Sequence, residues 1–285
     1  MLREVVRCLD LKPGLRVIDG TVGAGGHSRQ IVQLIQPEGV LIGLDRDPMM
    51  LQLASRVLLE TSVHLRQTSY VSARHILDEL QLDSVDRFFV DLGLSSDQLA
   101  DTSRAFGFDA GGALDLRFDT SDGIPAWKHL AELGEDQLAD MLWTFGEERY
   151  SRQIAQVIAR RRRSQPIRTA EDLVEACAEA IPARAQRAAR KHPATRVFQA
   201  LRIHVNQELQ HLQDSLDTVF YDALAVGGRL VVLSFHSLED RMVKRAFRNR
   251  EQWEIETSKP ITATSAEQKI NPRSRTAKLR VATKV

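Results

Sequence analysis

The 285-residue sequence has only two cysteines, Cys8 and Cys177, too few for a disulfide framework and without the spacing of a metal site. It has no apolar run near the roughly 20 residues that a membrane-spanning helix needs; the best candidate extends only from Leu230 to Phe235. The first residues alternate charged and aliphatic side chains and lack the apolar core of a signal peptide. These absences argue against a disulfide-rich secreted protein and a membrane protein, and they predict a location in the reducing cytoplasm.

Charge is divided unevenly along the chain, although the net charge is only +1. Residues 1–148 hold 13 basic and 24 acidic side chains, whereas residues 149–285 hold 26 basic and 14 acidic ones. Basic residues without any acid occupy three stretches, 149–168, 183–207 and 268–285. One basic run usually marks a solvated helix face, but three acid-free runs favour a polyanionic partner such as nucleic acid.

Hydrophobic patterning predicts strands that alternate with helices. The predicted strands are 16–19, 40–45, 63–67, 87–91 and 229–233, and the predicted helices are 28–35, 48–59, 72–80 and 239–247. Segments 253–257 and 279–283 are typical of a closing β-hairpin with a long loop. Alternating strands and helices predict an α/β fold with a parallel, doubly wound sheet.

A helical insert interrupts this alternation. Residues 97–123 have the composition of a loop, and only helical patterns follow from 125 to 190, with Thr169 as a predicted N-cap. Residues 194–224 are predicted to form one long amphipathic helix, stopped by Gly227 and Gly228. We therefore expect one domain from residues 1–100 plus 193–285, and a second, inserted domain from residues 101–192.

A glycine-rich loop follows the first predicted strand. Asp19 ends that strand, and Gly23, Gly25 and Gly26 precede the next helix. A dinucleotide fingerprint would need a glycine where this chain has Ser28. An acid followed by such glycines is instead the layout of enzymes that use S-adenosylmethionine (SAM), in which a carboxylate such as Asp19 can meet the ammonium group of the cofactor.

Two further residues complete the predicted nucleotide site. Asp45 lies 20 residues after Gly25 at the end of the second strand, where a carboxylate can accept hydrogen bonds from both ribose hydroxyls. A plain turn is the alternative explanation for Asp45. Tyr70, just after the third strand, is placed either to pack on an adenine face or to serve as a core aromatic.

Polar groups also follow two later strands. Asp91 ends the fourth strand, at the sheet edge where ligands of open α/β sheets bind, and is either a catalytic residue or a helix cap. His236 and Glu239 follow the strand at 229–233 in a similar arrangement. These two residues are too few ligands for a metal, so no metal site is predicted.

Several segments, in order along nearly the whole chain, resemble the bacterial small-subunit ribosomal RNA methyltransferase H family. The matching segments are residues 19–28, 45–48, 91–96, 114–119, 146–149, 192–203, 234–243 and 271–275. The resemblance implies a Rossmann-like class I SAM-dependent methyltransferase that methylates the exocyclic N4 of a cytidine in 16S rRNA, at the decoding centre. It places SAM contacts on Gly25, Gly26, His27, Asp45, Tyr70, Asp91 and Gln98.

The implied chemistry assigns roles to further residues. Asp91 is the first candidate to accept a hydrogen bond from the cytidine amine, and Ser95, Ser96 and His236 are second candidates. The target base must be single-stranded or flipped out of its stack. Eight arginines in the insert, in the predicted helix at 194–224 and near the C-terminus are expected to hold rRNA phosphates: Arg160, Arg161, Arg162, Arg163, Arg196, Arg202, Arg273 and Arg275.

Two other functions remain open on the sequence alone. A nicotinamide-dependent oxidoreductase would use the same kind of sheet, but Ser28 and the missing third glycine argue against it. A ribosome assembly factor that binds RNA on a degenerate methyltransferase fold would not need the intact glycine loop or Asp45.

Overall fold

The chain forms two compact units. The computed structural model describes residues 1–108, 111–189 and 192–285, so Arg190 and Lys191 of the second acid-free run lie outside the described residues. The first unit comprises Met1–Ser95 and Leu209–Val285, and the second comprises Ser96–Glu208. The predicted domain limits at residues 101 and 192 both fall inside the second unit.

A mixed sheet organises the first unit. Its strands in chain order are β1 Arg16–Asp19, β2 Val40–Asp45, β3 Val63–Gln67, β4 Val85–Asp91, β5 Leu224–Ser234, β6 Trp253–Ile255, β7 Ile261–Thr262 and β8 Lys278–Lys284. They lie in the order β3-β2-β1-β4-β5-β8-β6, with β7 also paired to β8. The pairs from β3 to β5 are parallel, which confirms the predicted doubly wound sheet, and β8 runs antiparallel to β5 and β6 as the predicted closing hairpin requires.

Helices connect the strands and make up the second unit. In chain order they are α1 Leu2–Leu9, α2 Gly26–Ile35, α3 Pro48–Ala54, α4 Ala73–Glu79, α5 Ser96–Ala100, α6 Ala126–Glu132, α7 Glu135–Gly146, α8 Ser151–Arg161, α9 Ala170–Ala180, α10 Ala183–Ala188, α11 Thr195–Asn206, α12 Glu208–Asp214, α13 Phe220–Ala223, α14 Ser237–Ala246 and α15 Ser265–Ile270. A π-helical segment, Ser215–Val219, joins α12 to α13. Helix α9 begins where the sequence predicts, because the Thr169 hydroxyl accepts the Asp172 N–H at 3.1 Å and the Asp172 carboxylate accepts the Thr169 N–H at 2.9 Å.

The prediction of one long helix over 194–224 is wrong. Helix α11 ends at Asn206, and Gln207 adopts a left-handed conformation with φ of 52°. The Asn206 amide donates to the Leu116 carbonyl at 2.7 Å, and its side-chain oxygen accepts the Phe118 N–H at 2.9 Å. This contact with a distant segment holds the helix end in place. Gly227 and Gly228 do not stop a helix; they lie inside β5.

Alternate strand residues pack on opposite faces of the sheet in the first unit. Ile18 and Phe88 belong to one buried apolar cluster, whereas their neighbours Val17 and Phe89 belong to another. Because successive side chains of a strand point to opposite faces, a strand covered on both sides is apolar throughout. Because these strands are packed on both faces, the positions of their carboxyl ends are fixed. The polar residues of the predicted site lie at these ends.

Candidate active site at the carboxyl edge of the sheet

Three carboxylates end neighbouring parallel strands. Asp19, Asp45 and Asp91 are the last residues of β1, β2 and β4, so they lie at one edge of the sheet. Ligands of open α/β sheets bind beyond this edge. The structure therefore brings together the acids that the sequence predicts for a cofactor site.

The glycine loop between β1 and α2 is held by the first two acids. The Asp45 Oδ2 accepts the Gly23 N–H at 2.9 Å, across 22 residues of sequence. Gly23 and Gly25 have φ of 53° and 86°, in the left-handed region that favours glycine. A Cβ added to Gly26 would meet no heavy atom within 4 Å, so the loop faces open space there. A ligand can approach the loop backbone closely at this point.

The Asp19 side chain lies in the protein interior. Its two oxygens accept hydrogen bonds from the Ser28 hydroxyl at 2.6 Å and from the Thr21 N–H at 3.2 Å. Burial raises the pKa of Asp19 to about 6. These contacts stabilise the turn from β1 into α2, and the contact of Asp19 with a cofactor ammonium stays a prediction.

Asp45 combines a loop contact with a raised pKa. Its Oδ1 accepts the Asp47 N–H at 2.9 Å, while Oδ2 holds Gly23. Each carboxylate oxygen has a second lone pair, which leaves acceptor capacity for a ligand hydroxyl. Burial raises the pKa of Asp45 to about 6.

Asp91 has the largest pKa shift of the three acids at the sheet edge. Its Oδ1 is buried and has no hydrogen-bond partner among the residues that the structure describes. Its Oδ2 lies 3.5 Å from Nδ1 of His27, and the Thr21 hydroxyl accepts the Asp91 N–H at 2.6 Å. Burial, reinforced by the nearby Asp19 carboxylate, raises the pKa of Asp91 to about 7. A buried acceptor without a partner at a ligand-binding edge is a candidate for contact with a substrate.

His27 stands beside Asp91 at the start of α2. Its ring packs edge-on against Phe89, with centroids 5.0 Å apart. Burial lowers the pKa of His27 to about 4, so the imidazole is neutral at physiological pH. The neutral ring can donate to or accept from Asp91, depending on its tautomer.

The loop after β4 is supported from two sides within the first unit. The guanidinium of Arg273 donates to the Leu94 carbonyl, and the Ser95 hydroxyl lies 3.2 Å from the Met50 sulfur. The charge of Arg273 lowers the pKa of Asp91, against the larger effect of burial. The sequence assigned Arg273 to phosphate binding and gave no signal for this contact, because 179 residues separate Arg273 from Leu94.

Ser96 and Gln98 fall in the second unit, on the short helix α5. Gln98 is buried there. Their predicted roles stay predictions.

His236 is the N-cap of α14. Its Nδ1 accepts the Glu239 N–H at 3.4 Å, and the Glu239 carboxylate in turn accepts the Phe235 N–H at 2.9 Å. The Nε2 of His236 lies 3.1 Å from Glu239 Oε1 without hydrogen-bonding geometry. The imidazole therefore has a structural role here, and its role as a proton acceptor stays a prediction.

Tyr70 lies among core residues. Its side chain is buried and its ring packs on Phe220 at 5.7 Å, while a Cβ on Gly20 would come within 2.9 Å of the Tyr70 Cβ. Of the two explanations that the sequence left open for Tyr70, this packing favours the core aromatic. Stacking on adenine stays a prediction.

The arginines predicted to bind RNA differ in the ion pairs and hydrogen bonds that their side chains form within the protein. Arg160 and Arg161 pair with Glu179 and Glu175 of α9, and Arg202 forms a two-fold ion pair with Glu208 at 2.7 and 2.9 Å. The side chains of three others donate to backbone carbonyls: Arg162, Arg196 and Arg273. Within the described part of the chain, Arg163 and Arg275 are exposed and make no such bond. Phosphate contacts at all eight positions stay predictions.

The described ranges 1–108, 111–189 and 192–285 contain neither a candidate metal cluster nor a candidate membrane span. No group of three or more His, Cys, Asp or Glu side chains there could hold a metal ion. No helix there is long and apolar enough to cross a membrane.

Comparison with known proteins gives full-length matches. A family model described as the MraW methylase family matches residues 1–285. The chain is 46% identical over 296 residues to "Ribosomal RNA small subunit methyltransferase H" of Rhodopirellula baltica, covering 100% of this chain and 90% of that protein. It is 44% identical over 285 residues to the protein of the same name from Thermotoga neapolitana, covering 99% and 94%. The crystal structure of an rRNA methylase from Streptococcus thermophilus is similar at a TM-score of 0.43 and 11% identity, covering 100% of this chain and 93% of that one.

Proposed function

Because the chain belongs to the MraW methylase family, we propose that it methylates the exocyclic N4 of a cytidine in 16S rRNA, at the decoding centre of the small ribosomal subunit. The protein is a SAM-dependent rRNA methyltransferase with a Rossmann-like class I fold. The observation that best supports the proposed chemistry is Asp91, whose unpartnered oxygen stands at the ligand-binding edge of the sheet. The cytoplasm, where small subunits are assembled, stays the expected location.

The edge residues fit SAM in shape and charge. The loop faces open space at Gly26, and Asp45 keeps acceptor capacity for the ribose hydroxyls. The pKa values of Asp19, Asp45 and Asp91 are all raised by burial, so a cationic ligand would stabilise their ionised forms. SAM carries positive charge on its sulfonium and ammonium groups, and we assign its binding to this edge, with Gly23, Gly25 and His27 contributing to the site.

The N4 amine of cytosine is a poor nucleophile, and the residues of the site must make it more reactive. The N4 lone pair of cytosine is delocalised into the ring, whereas bound SAM supplies a methyl group that is already activated. A carboxylate that accepts an N–H of the amine draws the lone pair out of conjugation and offers a place for the proton. Asp91 fits this role because its Oδ1 has no hydrogen-bond partner among the described residues and its pKa is about 7. The rigid strand end of β4 and the Thr21 hydroxyl hold its backbone in place.

The two units are proposed to have different functions. The first unit binds SAM through the sheet edge, and the second unit recognises rRNA. The acid-free run at 149–168 supports the assignment of the second unit, since its arginines are suited to phosphate. Phe235, in the first unit, is the remaining candidate to stack on the flipped base, because Phe106 is buried against Phe118 and Phe108 already stacks on His192.

Incubation with methyl-labelled SAM tests this function. Small subunits and stripped 16S rRNA from cells that lack this methylation serve as alternative substrates, and fully methylated subunits serve as the control. We expect label in one cytidine of 16S rRNA, released on digestion as N4-methylcytidine. Label on another atom or in another RNA would contradict the proposal. Calorimetry with SAM and NAD separates the methyltransferase from an oxidoreductase.

A further inference from the structure

A small cavity in the second unit is lined by one aromatic ring and three arginines. Its volume is about 220 Å³, and Trp127, Arg162, Arg163 and Arg168 contribute to its walls. Its other described lining residues are apolar: Leu130, Ala131, Pro166 and Ile167. None of the described residues that line it is acidic, so the cavity combines apolar lining with positive charge.

Two parts of the cavity wall are tied to one segment of the chain. The Leu114 carbonyl accepts the Trp127 N–H at 2.9 Å, and the Leu114 N–H donates to the Arg168 carbonyl at 2.7 Å. Leu114 begins the segment 114–119, which the sequence singles out and which the proposed active site does not use. Within this segment Arg117 forms a two-fold ion pair with Asp115, at 2.7 Å for both bonds, which stiffens it.

The arginines of the wall are not equivalent. Arg162 is fixed, because it donates to the carbonyls of Leu130 and Leu133 at 2.8 and 2.6 Å. Arg163 is exposed, and its guanidinium makes no hydrogen bond or ion pair with any described residue. The Arg168 guanidinium stands over the Trp127 ring, 5.3 Å from its centroid. Arg163 and Arg168 are therefore the two cations of the wall that remain available to a ligand.

We propose that this cavity binds an unpaired nucleotide of the RNA substrate, a proposal that rests on the proposed function. Proteins recognise unpaired bases by stacking them on aromatic rings or on arginine planes, and they hold the adjoining phosphates with cations. Trp127 supplies an aromatic ring, the Arg168 guanidinium stands over that ring, and Leu130, Pro166 and Ile167 add apolar lining. Arg163 and Arg168 supply the charge for phosphate. Binding of this nucleotide helps select the RNA substrate.

Charge removal tests the phosphate contacts. Arg163→Gln and Arg168→Gln are compared with Arg250→Gln, which removes the same charge from an exposed position between α14 and β6, outside the cavity and outside the three acid-free runs. Each cavity variant should lower the slope of log K for single-stranded 16S rRNA against log salt by about 0.7 per lost contact. It should also raise KM for the RNA substrate while SAM affinity stays constant. Slopes and KM values equal to those of Arg250→Gln would overturn the proposal.

Substitution of the ring tests the base contact. Trp127→Leu should weaken RNA binding by about 5- to 150-fold, the range measured for loss of one stacked base. Trp127→Phe keeps a ring and should restore most of that loss. If both variants weaken binding equally while their Tm matches the wild type, no base stacks on Trp127 and the proposal fails. Wild-type protein is assayed in parallel on small subunits, since absence of methylation there would instead contradict the proposed function.

Discussion

The Nδ1 of His27 lies 3.5 Å from Oδ2 of Asp91, in a pair whose members both have displaced pKa values. Burial lowers the pKa of His27 to about 4 and raises that of Asp91 to about 7. Between these values both side chains are neutral in the absence of a ligand. Asp91 therefore becomes an effective hydrogen-bond acceptor only as the pH approaches and passes 7.

The rate of methyl transfer should follow the ionisation of Asp91. Its folded-state pKa is raised, so the carboxylate form that accepts the amine is lost as pH falls through about 7. Single-turnover rates at SAM concentrations far below saturation report the ionisation of the SAM-free enzyme, and they should rise about ten-fold per pH unit below this pKa and level off above it. A rate that is constant from pH 5.5 to 8 would show that no group with this pKa takes part.

Asp91→Asn should separate chemistry from binding. The amide keeps the size of the side chain but can neither carry the negative charge nor take the proton, so the rate should fall by about 10²–10⁴. SAM affinity should change less, because under the proposed function Asp91 is only one of several residues assigned to the cofactor. Single-turnover rates at several SAM concentrations make the distinction. Full recovery at saturating SAM would move the acceptor role to His236 or to the pair Ser95 and Ser96.

SAM binding should strengthen as pH rises. Asp19, Asp45 and Asp91 have pKa values raised to about 6, 6 and 7, and their ionised forms favour a cation. Calorimetry from pH 5.5 to 8 should therefore show increasing affinity for SAM. S-adenosylhomocysteine lacks the sulfonium charge and is the matched control, with a weaker dependence on pH. Equal pH dependence for the two ligands would mean that the carboxylates do not sense the sulfonium.

Asp45→Ala should weaken SAM binding by about 10- to 150-fold, because hydrogen bonds to a charged group contribute about 1.5–3 kcal/mol. The substitution also removes the acceptor for the Gly23 N–H, so the loop loses a support. Glu60→Ala, at an exposed position before β3, is the control and should bind SAM as the wild type does. RNA binding without SAM should be unchanged in both variants. Unaltered SAM affinity in Asp45→Ala would contradict the ribose assignment.

Arg273→Gln should move the midpoint of the pH–rate profile to higher pH. The Arg273 charge lowers the pKa of Asp91, so its removal raises that pKa and reduces the ionised fraction at pH 7. Loss of the bond to the Leu94 carbonyl also frees the loop after β4. Arg275→Gln removes the same charge from an exposed neighbour and should leave the midpoint of the profile in place. Identical midpoints in the two variants would leave Arg273 with no influence on Asp91.

The sequence by itself determined the sheet and the acids at its edge. Parallel strands are buried on both faces, so their apolar runs mark their limits, and their carboxyl ends must meet at one edge. Asp19, Asp45 and Asp91 could be placed together for this reason, without any knowledge of long-range contacts. The glycine loop was equally visible, since only glycine adopts the φ values of Gly23 and Gly25 at low cost.

Only the tertiary structure decided where the long amphipathic pattern of residues 194–224 breaks and which arginines are free. Its apolar spacing continues through Gln207, but the Asn206 side chain bonds with Leu116 and Phe118, about 90 residues away, at the point where the helix ends. Arg160 and Arg163 likewise look equivalent in the basic run, yet one pairs with Glu179 and the other makes no such contact with a described residue. Local patterns report which face of an element is apolar, whereas the partner of a polar side chain depends on segments that folding brings beside it.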